Sequence, residues 1–173
     1  MIVILHNIRS LHNVGSIFRT ADAAGVEKIY LAGITPTPVD RFGKIRPQLT
    51  KVSLGAEKTV SWEKVELRAK PRTVPQSGSG ARVKSITSLL VRLKQEGYQI
   101  IAIEQDKKSI PYHRYEKSRK EETVLLIGNE VSGIPKKILK RCDKILEIPM
   151  RGRKESLNVS VAFGIVLFHL VYA

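Results

Sequence analysis

Residues 123–130, Thr123-Val124-Leu125-Leu126-Ile127-Gly128-Asn129-Glu130, decide the fold class of this chain. A β-branched and aliphatic run stops at a glycine followed by polar residues, which is typical of a buried strand that leads into a ligand-binding loop. Comparable apolar runs predict strands at 1–6, 29–32, 99–104 and 144–148. Because helical spacing separates most of these runs, the sequence predicts an α/β domain with a mainly parallel sheet flanked by helices.

The helices are predicted from the spacing of apolar residues and from the residues that end each segment. They cover 13–24, 49–54, 86–96, 135–142 and 157–172. A short strand is predicted at 59–62, and the stretch 33–47, which is rich in proline and glycine, is predicted to be loop. Since no internal repeat is present, residues 1–173 are expected to form a single domain.

Two polar stretches interrupt this alternation. Residues 68–84 contain Gln76-Ser77-Gly78-Ser79-Gly80 and five basic residues without an apolar period, which predicts a flexible surface loop. The glycines there do not form a dinucleotide-binding fingerprint, because no strand precedes them and the third glycine is missing. The stretch 107–122 is heavily charged, and no regular element is predicted within it.

The charge of the chain indicates its partners. Lys and Arg total 30 against 16 Asp and Glu, so the formal net charge is +14. Such an excess attracts polyanions, of which nucleic acid is the commonest. A soluble protein that is merely basic stays an alternative. An anionic membrane surface is a weaker one, because no basic amphipathic helix stands out.

Cysteine, histidine and apolar residues indicate the cellular compartment and the kinds of site to expect. The lone cysteine, Cys142, has no internal disulfide partner, so we expect a reducing cytoplasm. No zinc site is expected, because metal-ligand spacing is missing around His6, His12, His113 and His169. The most apolar stretch, 159–171, is shorter than a membrane span and contains polar residues, so no membrane segment is expected.

Polar residues at the ends of the predicted elements are candidates for a composite site. Asn13 and Arg19 lie on the first helix with an angular offset of roughly 120°. Glu130 follows the central strand, and Ser156 and Asn158 precede the last helix. Each also has a purely structural interpretation: Asn13 as a helix cap, Arg19 as a solvated side chain, Glu130 as an exposed turn residue, and one of the last pair as a cap.

No motif for serine hydrolysis, for a Walker A loop or for a metal cluster is present. Taken alone, the residues therefore predict a basic α/β domain whose pocket is built from loops after several strands. They leave the chemistry of that pocket open.

Three segments together resemble the SpoU (TrmH-like) RNA ribose methyltransferases of the SPOUT superfamily. The first runs from Asn13 to Ala21, and the second from Leu125 to Ile134. The third joins Ile148-Pro149-Met150 to residues 155–162. They occur in the family's order, and the resemblance covers nearly the whole chain.

This resemblance implies a deep trefoil knot formed by about residues 123–173, an exception to the rule that chains are unknotted. It also implies a homodimer whose active sites use residues of both subunits. S-adenosylmethionine is the implied cofactor, bound in a bent shape mostly through backbone groups. The implied contacts are Ile103, Glu104, Gly128, Ile148, Met150, Ser156 and Leu157.

The implied reaction moves a methyl group to a ribose 2′-hydroxyl, which must lose its proton as the methyl arrives. The family assigns that proton to Arg19. Because an arginine is rarely deprotonated in proteins, either its site perturbs it or a substrate phosphate shares the work. Asn13, Glu130, Ser156 and Asn158 match the other polar positions and are expected to orient Arg19 and the ribose.

The chain departs from the family at residues 68–84, where the loop is longer. It also begins at the first strand, so no separate RNA-binding domain is expected, and the catalytic domain must hold RNA itself. The candidate phosphate contacts are Arg41, Lys44, Arg46, Lys107, Lys108, Arg114, Arg151, Arg153 and Lys154. We expect tRNA as the substrate, with rRNA second. A base methyltransferase and a non-catalytic RNA-binding protein are the alternatives.

Overall fold

The strands of this protein form one sheet. A computed structural model describes residues 1–65, 85–117 and 122–172. Within these ranges lie β1 (Ile2–His6), β2 (Lys28–Ala32), β3 (Ser61–Val65), β4 (Gln99–Ile103), β5 (Ile110–Pro111), β6 (Thr123–Ile127) and β7 (Lys144–Glu147). Their order across the sheet is β3-β2-β1-β6-β4-β7-β5. Every ladder between these strands is parallel, which confirms the predicted fold class.

The helices connect the strands and cover the sheet. They are α1 (Leu11–Ala23), α2 (Pro47–Ser53), α3 (Ala56–Thr59), α4 (Ile86–Gln95), α5 (Lys136–Leu139) and α6 (Val159–Tyr172). A 3-10 turn spans Tyr112–Arg114. All five predicted helices are present, although α5 is four residues long where eight were predicted, because Pro135 caps it and Lys140 ends it.

Two apolar layers hold the helices on the sheet. Alternate residues of β1 point to opposite faces: Leu5 packs with the side chains of α1 and α6, and Ile4 packs with those of α4 and α5. Both side chains are fully buried. Burial of each such side chain contributes about 1.5–3 kcal/mol to the free energy of folding. The central strands β1 and β6 therefore hold the helices of both layers on the sheet.

The structure shifts several predicted boundaries. Ser10 rather than Asn13 caps α1, since the Ser10 Oγ accepts a hydrogen bond from the Asn13 backbone N–H at 3.3 Å. The strand predicted at 59–62 lies at Ser61–Val65, because a helical turn, α3, occupies the preceding residues. The edge strand β5 was not predicted, because two residues carry no period.

The flexible loop predicted at 68–84 lies outside the described residues. Among the described helices, none combines the length and the apolar character that a membrane crossing requires.

Helices α1 and α2 cross at a point that admits only glycine. A Cβ on Gly15 would lie 2.5 Å from the carbonyl oxygen of Leu49 and 3.0 Å from the Cβ of Val52. Both contacts are closer than van der Waals separation, and one neighbour is backbone. The crossing therefore sets how closely α2 lies against α1, the helix that carries Asn13 and Arg19.

We expect Gly15→Ala to destabilise the protein by about 1–3 kcal/mol, because the added methyl group overpacks the crossing. Urea unfolding followed by circular dichroism measures the change. Gly152→Ala is the matched control: its added Cβ would meet no atom within 4 Å, and we expect a change within about 0.5 kcal/mol. Equal stability of the two variants would contradict the close crossing.

Candidate active site

The carboxyl ends of four neighbouring strands meet at one edge of the sheet. Ile103 at the end of β4 pairs with Ile127 of β6 and with Leu146 of β7, and Leu5 of β1 pairs with Ile127 on the other side. The residues that follow these strands are therefore neighbours, as expected for a ligand site in a parallel sheet.

Glu130 connects this edge to the start of α1. Its carboxylate accepts hydrogen bonds from the backbone N–H groups of Arg9 at 3.1 Å and Ser10 at 3.1 Å. It also accepts one from the Asn13 side-chain Nδ2 at 3.1 Å. A carboxylate at the first turn of a helix also interacts favourably with the helix dipole.

The contact continues from Asn13 to the start of α6. The Asn13 Oδ1 accepts a hydrogen bond from the Asn158 Nδ2 at 3.1 Å. The Asn158 Oδ1 in turn accepts from the Ser160 backbone N–H at 2.9 Å and so caps α6. Because a carboxylate can only accept, Glu130 fixes which way the Asn13 amide points, and Asn13 then fixes Asn158. We call Glu130, Asn13 and Asn158 the amide relay.

Hydrogen bonding keeps Glu130 ionised. Partial burial raises the pKa of this carboxyl, but hydrogen bonds outweigh that effect and hold its pKa below the ordinary value of 4.5. The donors are the N–H groups of Glu130 itself, Arg9 and Ser10, together with the Asn13 amide. Glu130 is therefore an acceptor near neutral pH, suited to positioning and not to proton donation.

A second asparagine pair holds the loop that carries Glu130. The Asn129 Nδ2 donates to the Asn7 carbonyl oxygen at 2.7 Å, and its Oδ1 accepts from the N–H groups of Val131 at 2.9 Å and Ser132 at 3.0 Å. Asn7 has a positive φ of 61°. Sequence reasoning missed Asn7, Arg9 and Ser10, whose contributions come from the backbone. Asn129 was quoted only as part of a motif.

Gly128 has a packing role in this loop. A Cβ at this position would lie 2.5 Å from the Ile134 side chain and 2.6 Å from the Gly133 carbonyl carbon. A glycine in a ligand-binding loop can let a ligand approach the backbone. On the Cβ side, the space is instead taken by the protein's own loop.

The residues predicted to hold S-adenosylmethionine surround the ends of β4, β6 and β7. Ile103 and Ile148 are partly buried against the core, and Leu157 is 39% exposed. The Glu104 carboxylate accepts from the Ile134 backbone N–H at 2.7 Å. The Gln105 side chain donates to the Glu155 carbonyl at 2.7 Å, which brings the 151–157 loop over the end of β4.

The loop beside this surface leaves most of its peptide groups unpaired with other backbone. Among the described residues, 150–157 makes no backbone–backbone hydrogen bond, and the Gln105 side chain occupies the Glu155 carbonyl. Met150 is half-buried there. An adenosyl group has an apolar ring and polar edges. It is therefore suited to a surface made of peptide groups and partly buried apolar side chains.

Arg19 and Ser156 lie outside the amide relay. Arg19 is exposed on α1, and no hydrogen bond or ion pair joins it to a described residue. Ser156 is also exposed, and no hydrogen bond joins its side chain to another residue of the described ranges. The structure thus brings together Glu130, Asn13 and Asn158 in one chain. Arg19 is not part of this group.

Metal-ligating side chains and the cysteine thiol are further candidates for chemistry. The described ranges contain no group of His, Cys, Asp or Glu side chains suited to a metal ion. Burial and the neighbouring Asp143 raise the pKa of Cys142 to about 12, so its thiol is protonated near neutral pH and is a poor nucleophile.

Similarity to known proteins extends over nearly the whole chain. The model of the SpoU rRNA Methylase family matches residues 1–74 and 75–168. A tRNA (guanosine(18)-2'-O)-methyltransferase of Aquifex aeolicus is 32% identical over 97% of this chain and 67% of its own length. The 23S rRNA (guanosine-2'-O-)-methyltransferase RlmB of Neisseria meningitidis is 30% identical over 96% of this chain and 56% of its own.

A solved structure shares the fold. The AdoMet-bound rRNA methyltransferase from Sinorhizobium meliloti superposes with a TM-score of 0.71 at 26% identity, over 97% of this chain and 54% of that one. This chain therefore spans about two thirds of the Aquifex relative and little more than half of the other two.

We expect Glu130→Gln to lower the free energy of unfolding near neutral pH, and the loss to shrink in acid. Because the pKa of Glu130 is lower in the folded chain, its stabilisation is present above 4.5 and disappears as the pH falls through the folded value. Solvent exposure limits the loss to about 1 kcal/mol or less.

Urea unfolding of wild type and variant at about pH 7 and about pH 3 measures this difference. Glu116→Gln, at another exposed glutamate, is the control and should show no comparable pH-dependent loss. A Glu130→Gln deficit that is the same at both pH values would contradict the assignment.

Proposed function

The chain belongs to the SpoU rRNA methylase family, and from this premise we propose that it transfers a methyl group from S-adenosylmethionine to a ribose 2′-hydroxyl of RNA. The observation that carries the proposal is the amide relay, which ties the starts of α1 and α6 to the loop after β6. Three separated polar positions are joined beside a surface that fits the cofactor.

The cofactor, when bound, supplies an electrophilic methyl group on a sulfonium. The protein must then hold the ribose 2′-hydroxyl oxygen in line with that methyl group. It must also accept the proton that the hydroxyl loses. Ile103, Glu104, Gly128, Ile148, Met150, Ser156 and Leu157 are the residues proposed to bind the cofactor, through peptide groups and apolar side chains.

The amide relay is proposed to orient the reacting groups. Glu130 is held ionised by its donors and works as a positioning residue for Asn13. Asn13 and Asn158 lie at the starts of two helices, where an amide can hold a ribose hydroxyl in place. Ser156, two residues before Asn158, is free to contact the substrate or the cofactor.

Arg19 is proposed to accept the hydroxyl proton, alone or with a substrate phosphate. Its guanidinium is exposed on α1 and outside the relay. The neighbouring residue, Thr20, packs against α6, since a Cβ on Gly164 would lie 3.6 Å from the Thr20 Cγ2. We propose that Arg19, which lies one position earlier on α1 and is exposed, completes the site of a second subunit.

The exposed side of α6 supports a homodimer. Val161, Phe168 and Tyr172 recur at helical spacing on α6 and are 49%, 40% and 73% exposed, and Leu157, which precedes the helix, is 39% exposed. The helix carries apolar residues on all sides, and such helices are normally buried. A second copy of this chain covering α6 would bury this stripe and place Arg19 at the interface.

The trefoil knot is proposed from the resemblance to the family, and the order of the strands allows it. β6 lies between β1 and β4, and β7 lies between β4 and β5, so late strands are inserted among earlier ones. The chain then returns through α6 to pack on α1 and on the 3-10 turn at 112–114. This strand order is compatible with the knot that the family resemblance implies.

RNA is proposed as the substrate because of the +14 net charge and the exposed basic residues around the site. The basic loop 151–154 begins four residues after the end of β7, next to the proposed cofactor surface. We favour tRNA, because the Aquifex relative named for tRNA shares more of its sequence with this chain than the named rRNA enzyme does. Ribosomal RNA is the other substrate class.

Purified protein with S-adenosylmethionine and unmodified tRNA should incorporate methyl groups that resist alkaline cleavage at one nucleotide. Arg19→Ala should reduce this transfer by about 100-fold or more, while S-adenosylmethionine binding by calorimetry stays near that of wild type. Lys137→Ala, at an exposed lysine on α5, is the control and should transfer normally.

Each result of this assay has a separate meaning. Mass spectrometry of digested RNA distinguishes ribose methylation from base methylation, and methyl groups found only on bases would overturn the ribose assignment. Absence of both cofactor binding and transfer would leave a non-catalytic RNA-binding protein. Wild-type transfer by Arg19→Ala would remove Arg19 from the mechanism.

Val161→Asp should convert the protein to monomers and abolish transfer. A carboxylate buried without a partner at the α6 interface weakens association by about 100-fold or more. Since Val161 is 49% exposed in a single chain, the monomer should stay folded by circular dichroism. Val91→Asp, at a half-exposed valine of α4, is the control for light scattering and should behave as wild type does. A dimeric Val161→Asp variant would exclude α6 from the interface.

A further inference from the structure

The loop between β2 and α2 carries an exposed hairpin. Val39 and Ile45 form an antiparallel bridge, and the Asp40 N–H donates to the Lys44 carbonyl at 2.8 Å. The Asp40 carboxylate accepts from the N–H groups of Phe42 at 2.8 Å and Lys44 at 2.9 Å. These bonds fix residues 40–44 as a tight turn, which we call the Phe42 hairpin.

The tip of the Phe42 hairpin presents an aromatic ring to solvent. Phe42 is 73% exposed, and Ile45 is 62% exposed. The Arg41 guanidinium carbon lies over the ring, 4.7 Å from its centroid. Because the guanidinium covers one side of the ring, the opposite side is open to a second flat group.

Both ends of this loop are anchored beside the candidate active site. At its start, the Ile34 N–H donates to the Asn7 Oδ1 at 3.1 Å. Asn7 also holds Asn129, the residue before Glu130. At its end, Arg46 leads into α2, which crosses α1 at Gly15, two residues after Asn13. The hairpin therefore extends from the same edge of the sheet as the amide relay.

We propose that the Phe42 hairpin binds an unpaired nucleobase of the RNA substrate, stacked on Phe42 opposite Arg41. This inference rests on the proposed function and adds a determinant of RNA binding to it. A base stacked on an aromatic ring with a guanidinium nearby is a general way to hold single-stranded RNA. Arg41 and Lys44 would contact the flanking phosphates.

Charge favours RNA over a protein partner for this surface. Residues 40–46 carry three basic side chains, Arg41, Lys44 and Arg46, and one acidic side chain, Asp40. The backbone of the turn already occupies the Asp40 carboxylate. The Phe42 ring can stack on a nucleobase, and the basic side chains around it can contact the phosphates on either side of that base.

The test compares binding of single-stranded and duplex RNA by wild type, Phe42→Ala and Phe42→Trp. The probe is a fluorescein-labelled 12-nucleotide RNA of mixed sequence, alone or annealed to its complement. Fluorescence anisotropy should show Phe42→Ala losing about 5- to 100-fold in affinity for the single strand and less than about 2-fold for the duplex. Val91→Ala, at a half-exposed apolar residue of α4 on the other face of the sheet, should bind both RNAs as wild type does.

A spectroscopic measurement reports on stacking directly. The chain contains one tryptophan, Trp62, so Phe42→Trp adds a single new fluorophore at the tip of the hairpin. Unlabelled single-stranded RNA should quench the added emission and restore affinity close to wild type. Wild-type protein measured in parallel subtracts the response of Trp62.

The outcomes separate this inference from the proposed function. Unchanged single-strand binding by Phe42→Ala, or no quenching in Phe42→Trp, would overturn the stacking proposal. If single-strand binding is unchanged, the exposed Phe42 ring would instead be assigned to a contact with a protein. An equal loss for both RNAs would overturn it too, because stacking requires an unpaired base. Methyl transfer by wild type is assayed separately, so it can stand while this inference fails, and wild type that binds no RNA would overturn both.

Discussion

A single carboxylate sets the geometry of the candidate site. Glu130 accepts hydrogen bonds from two backbone N–H groups before α1 and from the Asn13 amide. Since it cannot donate, the direction of every bond after it is determined, through Asn13 to Asn158 and the first turn of α6. Segments more than 100 positions apart are joined by this one acceptor. Reversing any amide in the series would leave donors facing donors.

The topology of the sheet makes that contact available. β6 is inserted between β1 and β4, so the loop that follows it lies next to the residues that follow β1. In a parallel sheet all carboxyl ends share one edge, and no long loop is needed to bring Glu130 to Ser10. The close α1–α2 crossing at Gly15 then holds α1 against that edge from the other side.

The sequence predicted the elements with strong periodic signals and missed those whose cause is local geometry. The continuous run at Thr123–Ile127 could hardly be anything but a buried strand, whereas Ile110–Pro111 has no period and pairs only because β7 presents a partner. The places of Asn13, Glu130 and Asn158 at the ends of predicted elements suggest one composite site, and the resemblance to a family adds their roles. The N–H groups of Arg9 and Ser10 belong to the backbone and leave no signature in residue types.

One protomer supplies most of the proposed site and lacks one part of it. Arg19 is outside the amide relay, and α6 keeps an apolar stripe exposed. Both features have one explanation if a second copy covers α6: the stripe is buried, and Arg19 is carried to an interface where substrate can meet it. Dimerisation and completion of the site would then be a single event. The Phe42 hairpin lies just before α2 and extends from the same edge of the sheet as the amide relay, so an RNA held there would be kept beside the reacting groups.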